Sequence, residues 1–349
     1  MVDIADRFER QARACAALGS PMYSFLLSRC AGDIRAGGPT AKLLSGVPPL
    51  PENAVIALRV MGGVHALVLN REAPRLALHY PSVGGTATDG EQLWAEFRST
   101  LQESSDLLAP WLERVPQTNE VGRAVPLRGA LARAQETLGT FPIRLFEIGA
   151  SAGLNLLVDE LPAESVESDL NNQPTTALRV VERMGVDLHP IDANSEAGRL
   201  TLTAYVWADQ LKRLERLSQA LETAARVPVH VEAGGASDFV SRMAVKADCL
   251  TVLWHSVMWQ YMGVAEQSEI LGHRDRLARE ATDRSPFAHI SFEPFDPEIR
   301  TAAGAASGAP DTHFAVKLRM WPGDLSLLVG QAPAHGVPVH WYETQGTKT

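Results

Sequence analysis

Cysteine is scarce in this sequence, with 3 residues among 349. Cys15, Cys30 and Cys249 are far apart and odd in number, which excludes a disulfide framework and a zinc site with four thiolates. A reducing compartment is therefore expected. Long apolar runs are also missing: the segment from Asp3 to Leu18 alternates acids, arginines and alanines, and no later segment offers the roughly 20 apolar residues of a membrane span. We expect a cytoplasmic protein without membrane association.

Positive charge is in the minority, with 32 lysines and arginines against 41 aspartates and glutamates and a formal net charge of -9. Affinity for nucleic acids comes largely from clustered Lys and Arg, so a nucleic-acid partner is not expected. The ten histidines show no His-x-x-x-His spacing, and no metal site is predicted. Hydrophobic residues make up 45% of the chain and charged residues 21%, which is typical of an ordinary globular protein.

The pattern of the chain divides it into two parts. Residues 1–125 carry helical patterns separated by Gly and Pro, and Ser20-Pro21 is typical of a helix start. From Ile143 onward strands alternate with helices, which indicates a parallel sheet with helical crossovers. Within this part, the segment from Leu202 to Ala225 is predicted to be one long amphipathic helix. We predict an α-helical cap region at 1–125 and an α/β domain at 126–349, with helices on both faces of its sheet.

The most informative stretch runs from Arg144 to Val158. An apolar run ends in Glu147, a glycine-spaced turn follows, and leucines at helical spacing resume, which predicts a strand, a tight turn and a helix start. Two chemistries fit such a turn. Gly149-x-Ser151-x-Gly153 preceded by an acid is typical of a cofactor-binding loop, whereas the same three positions alone are typical of a serine nucleophile.

The cofactor-loop interpretation rests on Gly149, Gly153 and Glu147. Glycines let the backbone approach a ligand closely, and an acid at the strand end accepts hydrogen bonds from hydroxyl or amino groups. A dinucleotide fingerprint would require Gly-x-Gly-x-x-Gly, which this turn does not have. The match to a nicotinamide or flavin site is therefore poor.

The run from Glu147 to Gly153 resembles the first motif of class I S-adenosylmethionine-dependent methyltransferases. This resemblance implies a Rossmann-like methyltransferase sheet over residues 126–349 and an S-adenosylmethionine cofactor. It also implies a role for each matching position. The residues that hold the cofactor are Glu147, Gly149, Ser151, Gly153 and the helix-start residue Asn155. Further along the chain, Asp187 binds the ribose, Asp238 lies near the adenine amino group, and His255 is the catalytic base.

The spacing between Glu147 and Asp187 departs from the family pattern. It is 40 residues, against about 20 in the related dinucleotide fold. Either an insertion occupies the polar segment from Glu160 to Thr176, or Asp187 is not the ribose ligand. Both alternatives remain open at this point.

Over nearly its whole length the chain resembles a bacterial family known only as a domain of unknown function, a resemblance that implies no established reaction. It is carried by five motifs: Tyr80-Pro-Ser82, Gln117-Thr-Asn-Glu-Val-Gly-Arg123, Glu147-Ile-Gly-Ala-Ser-Ala-Gly-Leu-Asn-Leu156, Trp207-Ala-Asp-Gln210 and Trp254-His-Ser-Val-Met-Trp-Gln-Tyr261. Trp207-Ala-Asp-Gln210 is better explained by a buried stripe and a helix cap than by a site.

A serine hydrolase of the α/β type is the alternative, with Ser151 as the nucleophile. Its acid would be Glu293 or Asp296, and its base His313, His335 or His340; their spacing selects no set. Glu147 opposes this chemistry, because a negative charge beside a developing oxyanion is unfavourable. A non-catalytic protein that binds a nucleotide-like ligand is the third possibility.

The function hypothesis is methyl transfer to a small molecule. The side chains expected to contact this substrate are Tyr80, Asn119, Arg123, Trp259 and Tyr261, which lie in polar or aromatic loops. Loops positioned by a rigid scaffold carry such contacts in many enzymes.

Overall fold

The structure is a computed structural model and describes residues 3–47, 55–86, 89–162, 177–295, 313–342 and 347–348. It divides into two compact units. Unit 1 comprises Met1–Thr118 and Ala193–Leu217, and unit 2 comprises Asn119–Asp192 and Ser218–Thr349. The predicted division at 125/126 therefore differs in two respects: the boundary lies seven residues earlier, and a segment from the second half of the chain belongs to the helical unit.

The helices follow one another along the chain as α1 (Ile4–Ala17), α2 (Pro21–Arg35), α3 (Pro39–Ser45), α4 (Ile56–Leu69), α5 (Pro74–Ala77), α6 (Gly90–Glu103), α7 (Ser105–Glu113), α8 (Ala124–Leu138), α9 (Glu196–Ala204), α10 (Leu211–Ala224), α11 (Ala236–Arg242) and α12 (Val264–Glu280). Helices α1 to α7, α9 and the start of α10 belong to unit 1. None of the helices in the described part of the chain combines the length and the apolar character needed to cross a bilayer.

The start of α2 explains the Trp207-Ala-Asp-Gln210 motif. Ser20 is the N-cap of α2, and Pro21 occupies the first helical position as predicted. Asp209 accepts hydrogen bonds from Ser20 Oγ at 2.6 Å and from the Met22 N–H at 3.0 Å. Gln210 donates to the Leu18 carbonyl at 2.7 Å. The motif is therefore structural, since it holds the turn between α1 and α2.

The prediction of a single helix from Leu202 to Ala225 is wrong. The structure has α9 and α10, separated by residues 205–210. Trp207 lies in this break, 6% exposed, and packs in the core of unit 1 beside Tyr23, with their ring centroids 6.0 Å apart. Arg213 lies over the Trp207 ring and is only 8% exposed. Tertiary packing thus overrides the local helical pattern.

Unit 2 is built on one sheet, which has nine strands within the described residues. They are β1 (Ile143–Ile148), β2 (Val180–Asp187), β3 (His230–Ala233), β4 (Leu250–Ser256), β5 (Phe287–Pro294), β6 (His313–Trp321), β7 (Leu325–Pro333), β8 (His340–Trp341) and β9 (Thr347–Lys348). Their order is β3-β2-β1-β4-β5-β6-β7-β8, and β9 pairs with β7. Strands β1 to β5 are parallel, and β6 to β9 continue the sheet with antiparallel pairing.

This architecture confirms an α/β fold with a mostly parallel sheet flanked by helices and an N-terminal helical region. Helices α8, α11 and α12 pack against the sheet. The sequence interpretation missed β7. The sequence does indicate this strand, because the turn residues Pro322-Gly323-Asp324 precede an apolar run. In the structure these three residues form the connection from β6 to β7.

The strand order reverses beside β1. On one side of β1 lie β2 and then β3, and on the other side lie β4 and then β5. In open α/β sheets, ligands bind outside the carboxyl ends of the strands at such a reversal point. The carboxyl ends of β1, β2, β4 and β5 therefore define the region of interest.

Candidate functional site

The turn after β1 has an unusual backbone. Gly149, Ser151 and Gly153 have φ of +69°, +53° and +73°, all in the left-handed region. Such values are uncommon for a residue with a side chain, and they occur often at functional sites. The predicted helix start is a short 3₁₀ helix, Leu154–Leu157.

Packing restricts both glycine positions in addition to φ, and more severely at Gly153. A Cβ on Gly153 would lie 2.6 Å from Val229 Cγ1 and 2.8 Å from Val231 Cγ2. A Cβ on Gly149 would lie 3.0 Å from Met258 Cγ. Protein atoms thus occupy the space beside both glycines, and the glycine spacing alone is no argument for a ligand.

Asp187 holds this turn from the neighbouring strand. It ends β2, where Val186 is in register with Ile148. Its carboxylate accepts hydrogen bonds from the Ser151 N–H and the His189 N–H, both at 2.9 Å. Asp187 therefore lies beside the turn despite the 40-residue spacing. The insertion predicted from Glu160 to Thr176 falls mostly on residues 163–176, which lie outside the described residues.

Glu147 is buried at the end of β1, with 2% of its surface exposed. Its Oε1 accepts a hydrogen bond from Trp254 Nε1 at 3.0 Å, whereas Oε2 has no hydrogen-bond partner among the described residues. Burial raises the pKa of Glu147 to about 8. Interactions with the Trp254 and Asn155 side chains and the charge of Arg123 lower this pKa, and the charge of Asp187 raises it.

Two further polar side chains, in this turn and in the 3₁₀ helix after it, each have an atom without a hydrogen-bond partner in the described part of the chain. Ser151 is 5% exposed and Asn155 is 1% exposed. Ser151 Oγ and Asn155 Oδ1 are buried and make no hydrogen bond within the described residues. Because nearly all buried polar atoms in native proteins are hydrogen-bonded, this cluster of Glu147, Ser151 and Asn155, here called the acceptor cluster, is the strongest indication of a ligand.

Two predicted substrate contacts have structural partners near this turn. Asn119 Oδ1 accepts a hydrogen bond from the Leu154 N–H at 2.8 Å. Arg123 donates to the Ala334 carbonyl at 3.1 Å and to the Ser256 carbonyl at 3.4 Å. The structure thus brings both side chains to the carboxyl edge of the sheet, where they support the backbone.

His255 lies at the end of β4 and is 3% exposed. Its Nδ1 is 2.8 Å from Glu293 Oε1, and its Nε2 is 3.0 Å from His289 Nε2. Trp259 stacks on the ring with the centroids 4.9 Å apart. Both ring nitrogens are occupied, so His255 accepts a proton from a substrate only after one of these bonds breaks. The pKa of His289 is held well below its ordinary value, first by burial and then by the neighbouring His255.

Glu293 joins β5 to the loop after β4. Its Oε1 also accepts from the Met258 N–H at 3.2 Å and the Trp259 N–H at 3.3 Å. Its Oε2 is buried and has no partner among the described residues. Sequence reasoning considered Glu293 only as a hydrolase acid. The available signal was an acid at the carboxyl end of an apolar strand, the same position that Glu147 holds in β1.

The chain matches the model of a protein family, described as "Uncharacterized protein conserved in bacteria (DUF2332)", over residues 5–341. The chain belongs to this family. No curated protein and no solved structure matches the chain. The family assignment agrees with the expected bacterial family of unknown function.

The remaining predicted site residues of this family member lie elsewhere or at the surface. Tyr80 is fully buried in the hydrophobic core of unit 1. Asp238 is exposed in the first turn of α11. Tyr261 is 56% exposed in a 3₁₀ helix after β4.

The structure does not assemble the hydrolase triad. Ser151 Oγ has no hydrogen-bond partner among the described residues, so none of His313, His335 and His340 is bonded to it. The other acid considered, Asp296, lies outside the described residues.

Proposed function

We propose that this protein is an S-adenosylmethionine-dependent methyltransferase that acts on a small molecule. The acceptor cluster supports this proposal most strongly. Three buried oxygens that have no hydrogen-bond partner among the described residues lie on the end of β1, on the turn after it and on the 3₁₀ helix that follows, beside the point where the strand order reverses. Such a position suits a ligand that carries hydroxyl and ammonium donors.

In this proposal the protein holds the cofactor mainly through the turn. Glu147, Ser151 and Asn155 accept hydrogen bonds, and Gly149 and Gly153 keep the turn in shape. Asp187, at the end of β2, orients the turn through the Ser151 N–H and is the proposed contact of the ribose hydroxyls. Asp238, on the first turn of α11, is the proposed contact of the adenine amino group.

S-Adenosylmethionine, when bound, supplies an electrophilic methyl group on a sulfonium. The contribution of the protein is then alignment and exclusion of water. The side chains of the substrate site would hold the nucleophilic atom of the substrate in position for this methyl group. A base is needed only if that atom must lose a proton.

Glu293 is better placed than His255 to take this proton. Glu293 Oε1 is held in place by the His255 ring and by the Met258 and Trp259 N–H groups, and Oε2 is without a hydrogen-bond partner among the described residues. His255 then acts as a positioning residue, since its Nδ1 orients the carboxylate. Trp259, stacked on His255, and the exposed Tyr261 are the proposed substrate contacts.

Calorimetric titration with S-adenosylmethionine and S-adenosylhomocysteine tests the proposal. Both are expected to bind the wild-type chain, and Glu147→Ala is expected to weaken binding at least tenfold. Failure of both ligands to bind a folded protein would reject the proposal. Binding that Glu147→Ala leaves unchanged would mean that the site lies elsewhere. Cofactor binding without turnover of any substrate would favour the non-catalytic alternative.

A serine hydrolase remains the second candidate, because of one observation. Ser151 has a φ of +53° on a tight turn after a strand, as the nucleophile of an α/β hydrolase does. Labelling with a fluorophosphonate probe tests it. Covalent modification of Ser151, lost in Ser151→Ala, would support a hydrolase, whereas an unlabelled wild-type protein would count against it.

A further inference from the structure

The acceptor cluster places three oxygen atoms in buried positions. Glu147 Oε2, Ser151 Oγ and Asn155 Oδ1 are each buried and unbonded among the described residues. A buried carboxylate without a partner is far less stable than the neutral acid. Trp254 Nε1 hydrogen-bonds Glu147 Oε1 at 3.0 Å, and the Asn155 side chain also favours the ionised form of Glu147.

The charges that act on Glu147 come from two other elements. Arg123, in the 3₁₀ helix Val121–Arg123, favours the ionised carboxylate, and Asp187, at the end of β2, favours the neutral acid. Arg123 also hydrogen-bonds the carbonyls of Ala334 and Ser256, so its charge is shared with other partners. Burial is the largest of these effects and sets the pKa of Glu147 to about 8.

We propose that Glu147 is a neutral carboxylic acid in the unliganded protein and that it releases its proton to solvent when a cationic ligand binds to the acceptor cluster. This inference rests on the proposed function for the identity of the cation, which is the ammonium group that S-adenosylmethionine and S-adenosylhomocysteine share. The exchange is balanced: the ligand cation replaces the acidic proton, no covalent bond of the ligand changes, and the proton passes to buffer.

Two consequences follow for ligand binding. At pH 7.0 about 0.9 proton is released for each ligand bound, which is the protonated fraction of an acid with a pKa of about 8. Affinity for a cationic ligand rises about tenfold from pH 6.0 to pH 7.0, since one proton must leave. An uncharged ligand that uses only the other contacts shows neither effect.

The experiment is calorimetric titration at pH 7.0 in phosphate and in Tris buffer, whose different ionisation enthalpies reveal proton release. S-Adenosylmethionine and S-adenosylhomocysteine are expected to release about 0.9 proton, and methylthioadenosine, which carries no cation, none. Glu147→Gln is expected to abolish the release and the dependence of affinity on pH. The matched control is Glu280→Gln, an exposed acid on α12 that pairs with Arg276.

Binding of both cationic ligands without proton release would overturn the inference and leave the proposed function intact. The same holds if Glu147→Gln releases as many protons as the wild type. If neither ligand binds, the inference is tested by a stability measurement without ligand. The free energy of unfolding of the wild type, relative to Glu147→Gln, should fall as the pH rises from 5 to 8, because Glu147 ionises more readily in the unfolded chain. A constant difference would overturn the inference even if no ligand binds.

Discussion

At the scale of single residues, the position of an unbonded oxygen carries more information than the identity of the side chain. Ser151 stands between two glycines like a nucleophile, yet its Oγ has no base bonded to it within the described residues. Glu147 and Glu293 hold equivalent positions, each near the carboxyl end of its strand. In each, one carboxylate oxygen is hydrogen-bonded and the other has no hydrogen-bond partner among the described residues. These two acids divide the proposed chemistry into cofactor binding and proton removal.

The role of Glu293 is tested by Glu293→Gln. The amide keeps an oxygen for His255 Nδ1 and the Met258 and Trp259 N–H groups, but it loses the basic Oε2. We expect methyl transfer to fall by about 10²- to 10⁴-fold, with cofactor affinity within about twofold of the wild type. Formation of S-adenosylhomocysteine and calorimetric affinity are the measurements. A loss of affinity equal to the loss of rate would contradict the assignment.

The geometry of the turn is tested by Gly153→Ala. Its φ of +73° is unfavourable for alanine, and the new Cβ would lie within 3 Å of two valine side chains. We expect the free energy of unfolding to fall by about 2 to 5 kcal/mol. In Gly272→Ala, on α12, the Cβ meets nothing within 4 Å, and the free energy of unfolding should rise by about 0.4 to 1 kcal/mol. Denaturant unfolding measures both, and equal effects would contradict this explanation.

At the scale of elements, a buried ion pair joins Asp159, in the connection that follows β1, to Arg183 in β2. Asp159 Oδ1 lies 2.6 Å from Arg183 Nη2, and their side chains are 7% and 10% exposed. Asp159 Oδ2 also accepts from the Val180 N–H at 2.9 Å, at the first residue of β2. The connection can thus be long while β2 keeps its register beside β1, and Asp187 keeps its place beside the turn.

Removing one partner of this ion pair should therefore lower the free energy of unfolding substantially. Asp159→Ala leaves the Arg183 charge and the Val180 N–H without their buried partner, and the free energy of unfolding should fall by about 3 to 5 kcal/mol. The exposed pair between Arg276 and Glu280 is the control, and Glu280→Ala should cost less than about 1 kcal/mol. Urea unfolding at pH 7 compares the two variants. A small effect of Asp159→Ala would mean that the connection is held by other contacts.

At the scale of the whole molecule, the chain forms two compact units, and unit 1 includes a segment that follows β2 in the sequence. Two units do not have to unfold in one transition. The proposed cofactor binds residues of unit 2, so its stabilising effect is predicted for that unit.

S-Adenosylhomocysteine at 100 times its dissociation constant should add about 2.7 kcal/mol to the free energy of unfolding of unit 2. Hydrogen exchange measured by mass spectrometry locates this effect, with increased protection expected in β1 and the turn from Gly149 to Gly153. Glu147→Ala, with weaker binding, should show less protection at the same ligand concentration. Protection confined to the helices of unit 1 would contradict the proposed site.

The sequence by itself determined the local features. The acid and glycines of the turn after β1, the Ser20-Pro21 start of α2 and the alternation of strands with helices after Ile143 all depend on neighbouring residues, whose steric and capping preferences act over a few positions. These patterns were enough to predict an α/β fold and to point to Glu147. They could not separate a cofactor loop from a nucleophile, because the two share the same backbone.

The tertiary structure decided what comes together across the chain. It ended α9 and placed Trp207 in the core of unit 1, and it joined His255 to Glu293 and His289. It also left one oxygen of Glu147 without a partner among the described residues. Each of these outcomes depends on burial and on contacts between residues distant in sequence. Local propensity is weak compared with the free energy of burying an aromatic ring or desolvating a carboxylate, so these features follow from packing.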